Sequence, residues 1–152
     1  MLKRLFDILS SLAVLIFILP LFILVSLLIM LDSKGGVFYK QIRVGQNAKK
    51  FELLKFRTMR PNSDQIQITV GNRDPRVTRI GYYLRKYKLD EIPQLINIIK
   101  GEMSVVGPRP EVPKYVENYT DKQKKVLTVK PGLTDFASLQ FVDESELLAK
   151  SE

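Results

Sequence analysis

The chain has 152 residues, enough for one compact domain, and contains neither Cys nor His. Disulfides, thiolate or imidazole metal sites and Ser–His catalytic triads are therefore excluded, so any chemistry must rely on carboxylates, hydroxyls, Lys, Arg or a metal bound through oxygen. The 24 Lys and Arg residues exceed the 16 acidic residues, and the net charge of +8 favours anionic partners such as phosphates, acidic lipids or nucleic acid.

The first predicted element is a membrane segment. Residues 8–31 carry no charge, and 18 of the 20 residues in 12–31 are apolar. A helix of that length reaches about 30 Å, the thickness of the hydrocarbon layer. A buried core helix would normally carry a polar stripe, and no small-residue cleavage site of a signal peptide follows. The pattern therefore predicts residence in a membrane.

Whether this segment spans the membrane or re-enters it stays open from the residues alone. Pro20, near its middle, lacks a backbone N–H, and its ring clashes with the carbonyl of Ile16, so we expect a kink there. Such kinks are tolerated in membranes. Cations flank both ends, Lys3 and Arg4 before the segment and Lys34 after it, so the positive charge sets no orientation.

Two strands and a loop are predicted next. Residues 37–44 and 51–59 read as short strands around the turn-rich 45–47, which predicts a hairpin. The polar stretch 62–71 is predicted to form a loop.

Three helices are predicted in the rest of the chain. The first begins at Asp74-Pro75, because proline suits the first position of a helix. The second begins near Asp90, ends at Gly101 and buries an apolar face made of Ile92, Leu95, Ile96 and Ile99. The third covers 111–126 with an interruption near Thr120.

The sharpest local pattern is the run from Leu89 to Pro93, which contains Asp90-Glu91. An Asp at the N-cap and a Glu in the first turn both suit the positive end of a helix dipole, and this structural role would explain the pair. The alternative is catalytic. Nearby cations should keep both carboxylates ionised, and a carboxylate nucleophile beside a phosphate-binding helix end, with Mg²⁺ screening the repulsion, is a workable phosphoryl-transfer site.

Two further cationic patterns are ambiguous by themselves. In Pro108-Arg109-Pro110 the prolines restrict the backbone around Arg109, which suits phosphate binding and also an ordinary proline-rich turn. On the second strand, alternation puts Lys55 and Arg57 on one face and Phe56 on the other, as any amphipathic hairpin would.

Taken in order, these patterns resemble a known family. The chain is similar to the catalytic domain of the monotopic phosphoglycosyl transferases, bacterial sugar transferases that begin lipid-linked glycan assembly. The similarity runs over six ordered stretches: Lys3-Arg4-Leu5-Phe6-Asp7, residues 37–45, Lys55-Phe56-Arg57-Thr58-Met59, Leu84-Arg85 with Leu89-Asp90-Glu91, residues 100–110 ending in Gly107-Pro108-Arg109-Pro110, and Lys130-Pro131-Gly132-Leu133-Thr134.

The resemblance implies a reaction and a site. A sugar-1-phosphate would pass from a UDP-sugar to a polyprenyl (undecaprenyl) phosphate, with release of UMP. Asp90 would be the nucleophile that forms an aspartyl phosphosugar, and Glu91 would help to position Mg²⁺ or manage a proton, so that both carboxylates are expected metal ligands. The residues expected to bind substrate phosphates are Lys55, Arg57, Arg85 and Arg109.

The same resemblance implies an α+β fold. Residues 1–34 would form a re-entrant helix broken at Pro20, and residues 35–152 a mostly helical interfacial domain with a β-hairpin, the two forming a single unit. The expected location is the cytoplasmic face of the inner membrane, as a monotopic protein. Expected partners are the UDP-sugar, the polyprenyl phosphate and membrane lipids, without nucleic acid. The resemblance leaves the number of subunits open, with a homodimer as one alternative.

Some residues depart from the family pattern. Leu19 stands where relatives often have a Ser before the membrane proline, and Gly35-Gly36 where many have Gly-Pro. Residues 135–138 differ from the usual Gly-x-Ala-Gln, which bears on the identity of the sugar more than on mechanism. The chain ends at residue 152, earlier than longer relatives, which fits either a minimal form or a fragment.

A membrane-anchored basic module that binds anionic lipid or nucleic acid without chemistry is the competing hypothesis. Its support is the charge of +8 and the aromatic residues interleaved with cations. It does not explain why Asp90-Glu91 interrupts a cationic stretch, and it gives Pro108-Arg109-Pro110 no role.

Overall fold

The computed structural model describes residues 2–61 and 74–135. These residues form an α+β arrangement, as predicted, with two two-stranded sheets. The predicted loop at 62–71 and the divergent residues 136–138 lie outside the described residues. The helices are α1 (Leu2–Phe17), α2 (Leu19–Asp32), α3 (Arg79–Lys86), α4 (Gln94–Lys100), α5 (Pro113–Val116) and α6 (Asp121–Lys124). The strands are β1 (Phe38–Val44), β2 (Lys50–Phe56), β3 (Ser104–Val106) and β4 (Gly132–Thr134).

The apolar N-terminal segment is a bent pair of helices. The axes of α1 and α2 meet at 65°, with Ile18 between them. Pro20 is the second residue of α2, where its missing N–H removes no bond within that helix, so the chain restarts a helix in a new direction. The predicted break at Pro20 is confirmed. Within the described residues no single helix is long and apolar enough to span a membrane, and only the bent pair together reaches that length and composition.

The start of α1 is joined to the rest of the molecule by charged side chains. Arg4 donates to the carbonyl oxygens of Ile98 (2.5 Å) and Ile99 (2.8 Å), the last turn of α4. Asp7, which is 3% exposed, accepts from the hydroxyl of Ser104 (2.9 Å) and the N–H of Val105 (3.1 Å). These bonds fasten α1 to α4 and β3.

The end of α2 is fastened in a similar way. Asp32 accepts from the backbone N–H of Ile80 at 2.9 Å, in the first turn of α3. Arg57 donates to the carbonyls of Ser33 (2.9 Å) and Lys34 (2.6 Å), just beyond the helix. Both ends of the bent pair therefore contact the same domain.

Two clusters of buried apolar side chains form the core. One lies between β2, α4 and the start of β3 and consists of Phe51, Leu53, Leu95, Ile98 and Met103. The other joins α2, β2 and α3 and consists of Val25, Ile29, Phe56 and Leu84. Ile92 packs against both clusters, so the segment between α3 and α4 is held by the whole core.

The predicted hairpin is confirmed, with β1 and β2 antiparallel from Phe38 opposite Phe56 to Val44 opposite Lys50. The other edge of β2 is held by Asn97 of α4, which is fully buried. Its side chain accepts from the N–H of Leu54 (3.0 Å) and donates to the carbonyl of Glu52 (2.7 Å). Because this amide replaces a third strand, α4 lies directly against β2.

Three helix predictions were wrong in their bounds. The helix expected from Asp74-Pro75 begins at Arg79, with Thr78 as its N-cap, because Thr78 and Arg76 still pair with the backbone of the 58–60 segment. The helix expected over 111–126 is two separate turns of helix, α5 and α6, and Thr120 caps the second with a capping box. The expected interruption at Thr120 is thereby confirmed.

The second predicted helix starts later than expected. It begins at Gln94, with Pro93 in the N-cap position, and it ends before Gly101, whose φ of 91° provides the predicted stop. Leu95 of the predicted face is buried and Ile92 packs against the core, as predicted, but the fully buried apolar residue of the helix is Ile98, which was not on that face.

Candidate active site

Asp90 and Glu91 lie in a short 3₁₀ turn, Leu89–Glu91, that precedes α4. Lys88 has a left-handed backbone (φ 54°), an uncommon conformation for a residue other than Gly, and it reverses the chain between α3 and this turn. The prediction that Asp90 is the N-cap of a helix was wrong, because Pro93 has that position and Lys88 precedes the 3₁₀ turn. A capping role therefore does not account for the acidic pair.

Glu91 is the centre of the charged contacts at this site. Its Oε1 accepts from Lys55 Nζ at 2.8 Å and lies 3.9 Å from a terminal nitrogen of Arg109. Lys55 comes from β2 and Arg109 from the loop after β3, so three distant parts of the chain meet at one carboxylate. The structure thus brings together three of the predicted site residues.

Asp90 has a different electrostatic environment from Glu91. Burial raises the pKa of Asp90 above its ordinary value; Lys55 and Arg85 oppose this rise, and the adjacent Glu91 adds to it. Burial also opposes the ionisation of Glu91, but the charge and hydrogen bond of Lys55, with Arg109, outweigh it and lower the pKa. The expectation that cations would favour ionisation of both carboxylates holds for Glu91, while for Asp90 burial prevails.

Arg85 belongs to this site through its charge. It lies in the last turn of α3, is half-buried and lowers the pKa of Asp90. Within the described residues the Asp90 carboxylate makes no ion pair, whereas Glu91 makes two. Asp90 is therefore the carboxylate of the pair that no cation holds by direct contact.

The loop that carries Arg109 is anchored on two sides. Pro108 accepts from the N–H of Gly132 (2.9 Å), and the N–H of Gly107 donates to Thr134 (3.1 Å), beside the parallel pair β3–β4. Neither Gly107 nor Gly132 has space for a side chain, because their backbones touch. This parallel pair was not predicted, and it places the Pro-Arg-Pro loop next to the acidic turn.

Arg57 is not part of this site. The residue is 8% exposed, and its guanidinium donates to the carbonyls of Ser33 and Lys34 just beyond α2. It alternates with Phe56 as predicted, but it lies beyond the end of β2, where the chain has reached the helix pair. The expected contact with substrate phosphate therefore has no support for Arg57, and we omit it from the phosphate-binding set.

The open cleft over Glu91 includes residues that the sequence patterns did not single out. Its walls come from β1, β2, α4, the Arg109 loop and β4, and they include Arg43, Lys55, Glu91, Gln94, Arg109 and Leu133. The missed cation is Arg43. Its position on the inward face of β1, with Tyr39 and Gln41, follows from strand alternation, which could have revealed it.

The donor set fits Mg²⁺ only in part. The described residues contain no group of three acidic side chains that could hold a metal ion. Mg²⁺ in phosphoryl-transfer sites is commonly bound by one or two carboxylates plus the phosphates of the substrate. Asp90 and Glu91 match that arrangement, because no cation of residues 2–61 or 74–135 forms an ion pair with Asp90, and the cations around Glu91 would attract a diphosphate.

Comparison with known proteins agrees with these features. The family model described as bacterial sugar transferase matches residues 1–151. Exopolysaccharide production protein ExoY of Rhizobium meliloti is 43% identical over 88% of this chain and 66% of its own length. Undecaprenyl-phosphate glucose phosphotransferase of Komagataeibacter xylinus is 39% identical over 90% of this chain and 27% of its own length.

A third relative covers the whole chain. UDP-glucose:undecaprenyl-phosphate glucose-1-phosphate transferase of Escherichia coli is 36% identical over 100% of this chain and 34% of its own length. The chain thus spans less than two thirds of the length of these relatives. Because the family model covers nearly every residue, the chain belongs to the bacterial sugar transferase family.

Proposed function

We propose that this chain transfers a sugar-1-phosphate from a UDP-sugar to undecaprenyl phosphate, through a covalent intermediate on Asp90. The observation that carries the proposal is the acidic pair itself. Asp90 is a half-buried carboxylate without a direct cation partner among the described residues, next to Glu91, which pairs with Lys55 and Arg109. The name of the Escherichia coli relative states a UDP-sugar donor and an undecaprenyl-phosphate acceptor, and the name of the Komagataeibacter xylinus relative states the same acceptor.

Two displacements at phosphorus make up the reaction. A carboxylate oxygen of Asp90 forms a bond to the phosphorus that bears the sugar, the bond from that phosphorus to the bridging oxygen breaks, and the electron pair leaves on UMP. A phosphate oxygen of undecaprenyl phosphate then attacks the same phosphorus and displaces Asp90. Partial desolvation favours the first step, because a buried carboxylate loses the water that would stabilise its charge.

Each cation has a place in this scheme. Lys55 and Arg85 act on Asp90 and would stabilise the negative charge of the phosphoryl group under attack. Arg109, 59% exposed at the side chain, can turn from Glu91 to a bound phosphate. Mg²⁺ held by Asp90 or Glu91 and the substrate would supply screening of the repulsion between carboxylate and diphosphate.

The bent helix pair supports a re-entrant, monotopic placement. Sixteen large apolar side chains between Leu2 and Leu31 are exposed. Exposure of such an apolar surface to water is unfavourable, whereas lipid chains would cover it. Both ends of the pair contact one domain, through Arg4 and Asp7 at the start and Arg57 at the end. We therefore place residues 1–34 in the membrane and residues 35–152 on its cytoplasmic face, where UDP-sugars occur.

Release of UMP tests the chemistry. The full chain in detergent or nanodiscs is given a UDP-sugar, undecaprenyl phosphate and Mg²⁺, and wild type is compared with Asp90→Asn and with Asp121→Asn, a matched change at an exposed carboxylate. We expect loss of UMP release only in Asp90→Asn, and a phosphosugar adduct on intact wild-type protein when the lipid acceptor is withheld. Equal rates in wild type and Asp90→Asn would exclude Asp90 as the nucleophile.

Labelling of introduced cysteines tests the topology, since the chain has none of its own. Leu2→Cys and Lys34→Cys lie at exposed ends of the helix pair. We expect a membrane-impermeant thiol reagent to reach both from the same face of oriented vesicles. Labelling from opposite faces would show a spanning segment and contradict re-entry.

The basic-module alternative has less support. Several of its cations point inward: Arg4 and Arg57 bind backbone carbonyls, and Lys55 binds Glu91. These residues are therefore not available to a flat anionic surface. If wild type bound anionic vesicles but released no UMP under any condition, the alternative would be favoured.

A further inference from the structure

Arg43 is a further cation of the cleft, beside Lys55 and Arg109. It lies on β1, and alternation turns it to the same side as Tyr39 and Gln41, onto the cleft that also contains Lys55 and Arg109. The neighbouring residues on the other side of the strand, Lys40 among them, are exposed.

The guanidinium of Arg43 is held in place by neutral oxygens. Its Nε and one terminal nitrogen donate to Gln41 Oε1 at 3.1 and 2.8 Å, and the other terminal nitrogen donates to the carbonyl of Pro110 at 2.9 Å. A guanidinium has five N–H groups, so these three bonds leave two donors for a further partner. The orientation of the group is therefore fixed while part of its binding capacity is unused.

The charge of Arg43 is not neutralised by direct contact. None of the ion pairs among the described residues includes it; Glu111 and Glu91 act on it only at longer range. Burial lowers its pKa, and the nearby charge of Arg109 lowers it further. Arg43 and Arg109 line the same cleft, so their positive charges repel each other, and a bound anion would relieve that repulsion.

Contacts give an order along the site. Asp90 and Glu91 are adjacent in the 3₁₀ turn, and Glu91 Oε1 lies 2.8 Å from Lys55 Nζ and 3.9 Å from a terminal nitrogen of Arg109. Arg43 donates to the carbonyl of Pro110, the residue after Arg109. The site therefore extends from Asp90, through Glu91 and Lys55, to Arg109 and Arg43.

We propose that Arg43 and Arg109 form a second phosphate subsite, which binds the donor phosphate that leaves with the nucleoside. This inference rests on the proposed function, since it takes the donor to be a nucleoside diphosphate sugar. The phosphorus that bears the sugar must lie beside Asp90, so the other phosphate of the diphosphate lies farther along the site. The two free donors of Arg43 and the fork of Arg109 match the oxygens of that phosphate.

The experiment compares the binding of UMP and uridine, which differ only in the phosphate. Dissociation constants are measured by calorimetry on the full detergent-solubilised chain, for wild type, Arg43→Met, Arg43→Lys and Lys40→Met. Lys40 is the matched control: it lies on the same strand, faces the other way, pairs with Glu52 and has the same charge. Thermal unfolding of each variant identifies those that fold.

In wild type we expect UMP to bind at least tenfold more tightly than uridine. Arg43→Met should lose most of this preference, about tenfold or more, because one charged hydrogen-bond donor to phosphate is removed. Arg43→Lys should keep part of it, and Lys40→Met all of it. If Arg43 had a purely structural role, Arg43→Met would weaken the binding of UMP and of uridine by the same factor, and the preference for UMP would be unchanged.

The outcomes separate this inference from the proposed function. If Arg43→Met, or Arg43→Lys where only that variant folds, keeps the full preference for UMP over uridine, the subsite is excluded even if Asp90 forms its adduct. If the preference collapses as expected while Asp90→Asn turns over like wild type, the subsite stands and the covalent mechanism fails. Absence of any preference for UMP in wild type would also exclude the subsite.

Discussion

Two regions of this molecule contain similar charged residues and use them differently. Where the helix pair meets the domain, Arg4, Asp7 and Arg57 bind backbone groups across that contact. In the cleft, Lys55 and Arg109 share a single carboxylate, Glu91. In the first region the charged groups are bound by groups of the protein itself. In the cleft, two cations share one carboxylate, so excess positive charge remains to bind a ligand. Residue type alone does not distinguish these two roles. They are distinguished by the groups that each charged side chain contacts.

The contrast is clearest for Lys55 and Arg57, two residues apart at the end of one strand. Lys55 reaches the acidic turn, and Arg57 reaches the end of α2 because the chain leaves β2 after Phe56. Arg57 therefore links the bent helix pair to the domain, while Lys55 contacts the acidic turn.

The largest effect on stability is expected from Asp7→Ala. It would leave the N–H of Val105 and the hydroxyl of Ser104 without their acceptor in a buried place, and the free energy of unfolding should fall by about 3 kcal/mol. Denaturant unfolding in detergent measures it. The control is Asp121→Ala, whose carboxylate is exposed and should cost less than ~0.5 kcal/mol. Equal losses would show that Asp7 does not fasten α1.

The next largest effects are expected to differ between Lys55, in β2, and Arg57, just after it. Arg57→Met should lower the free energy of unfolding by about 2 kcal/mol, because two carbonyls lose a charged donor. Lys55→Met should instead lower turnover by roughly 100-fold, since a cation that stabilises developing phosphate charge is removed. Unfolding and UMP release, measured on both variants, give the comparison. Full stability of Arg57→Met together with loss of turnover would place Arg57 in the site after all.

The smallest expected effect is a shift in pH dependence. If Asp90 must be ionised to attack, kcat/KM rises with pH through its pKa, which burial has raised. Lys55 lowers that pKa, so Lys55→Gln should raise it further and move the acidic limb of the profile to higher pH. Lys40→Gln, on the opposite face of the hairpin, should leave the limb in place. A shift to lower pH in Lys55→Gln would contradict the assignment of Asp90.

Features that depend on neighbours along the chain could be predicted from the sequence. Alternation of apolar and polar residues located the hairpin to within a few residues, and Pro20 located the break because a proline clash acts within one helical turn. Gly101 marked the end of α4 for a similar reason, since a left-handed residue suits Gly.

Features that depend on contacts between distant parts of the chain could not be predicted from the sequence. Asp90 fitted the pattern of a helix cap, but Leu89 and Ile92 pack onto the core and set the turn differently. The pair β3–β4 joins residues 104–106 to 132–134, and strands of three residues give no reliable alternation. Strand alternation could have placed Arg43 on the inward face of β1, but its contact with the carbonyl of Pro110, far along the chain, could not be predicted from local pattern.

The sequence by itself determined the apolar N-terminal segment, its break, the hairpin and the acidic pair, because each follows from composition or from interactions over a few residues. Only the tertiary structure decided which cations surround that pair. Lys55, Arg109 and Arg43 line the cleft and Arg85 acts on Asp90 through its charge, whereas Arg57 binds the end of α2. The reason is the packing of α4 against β2 and of the Arg109 loop against β4, which brings these side chains from distant parts of the chain together.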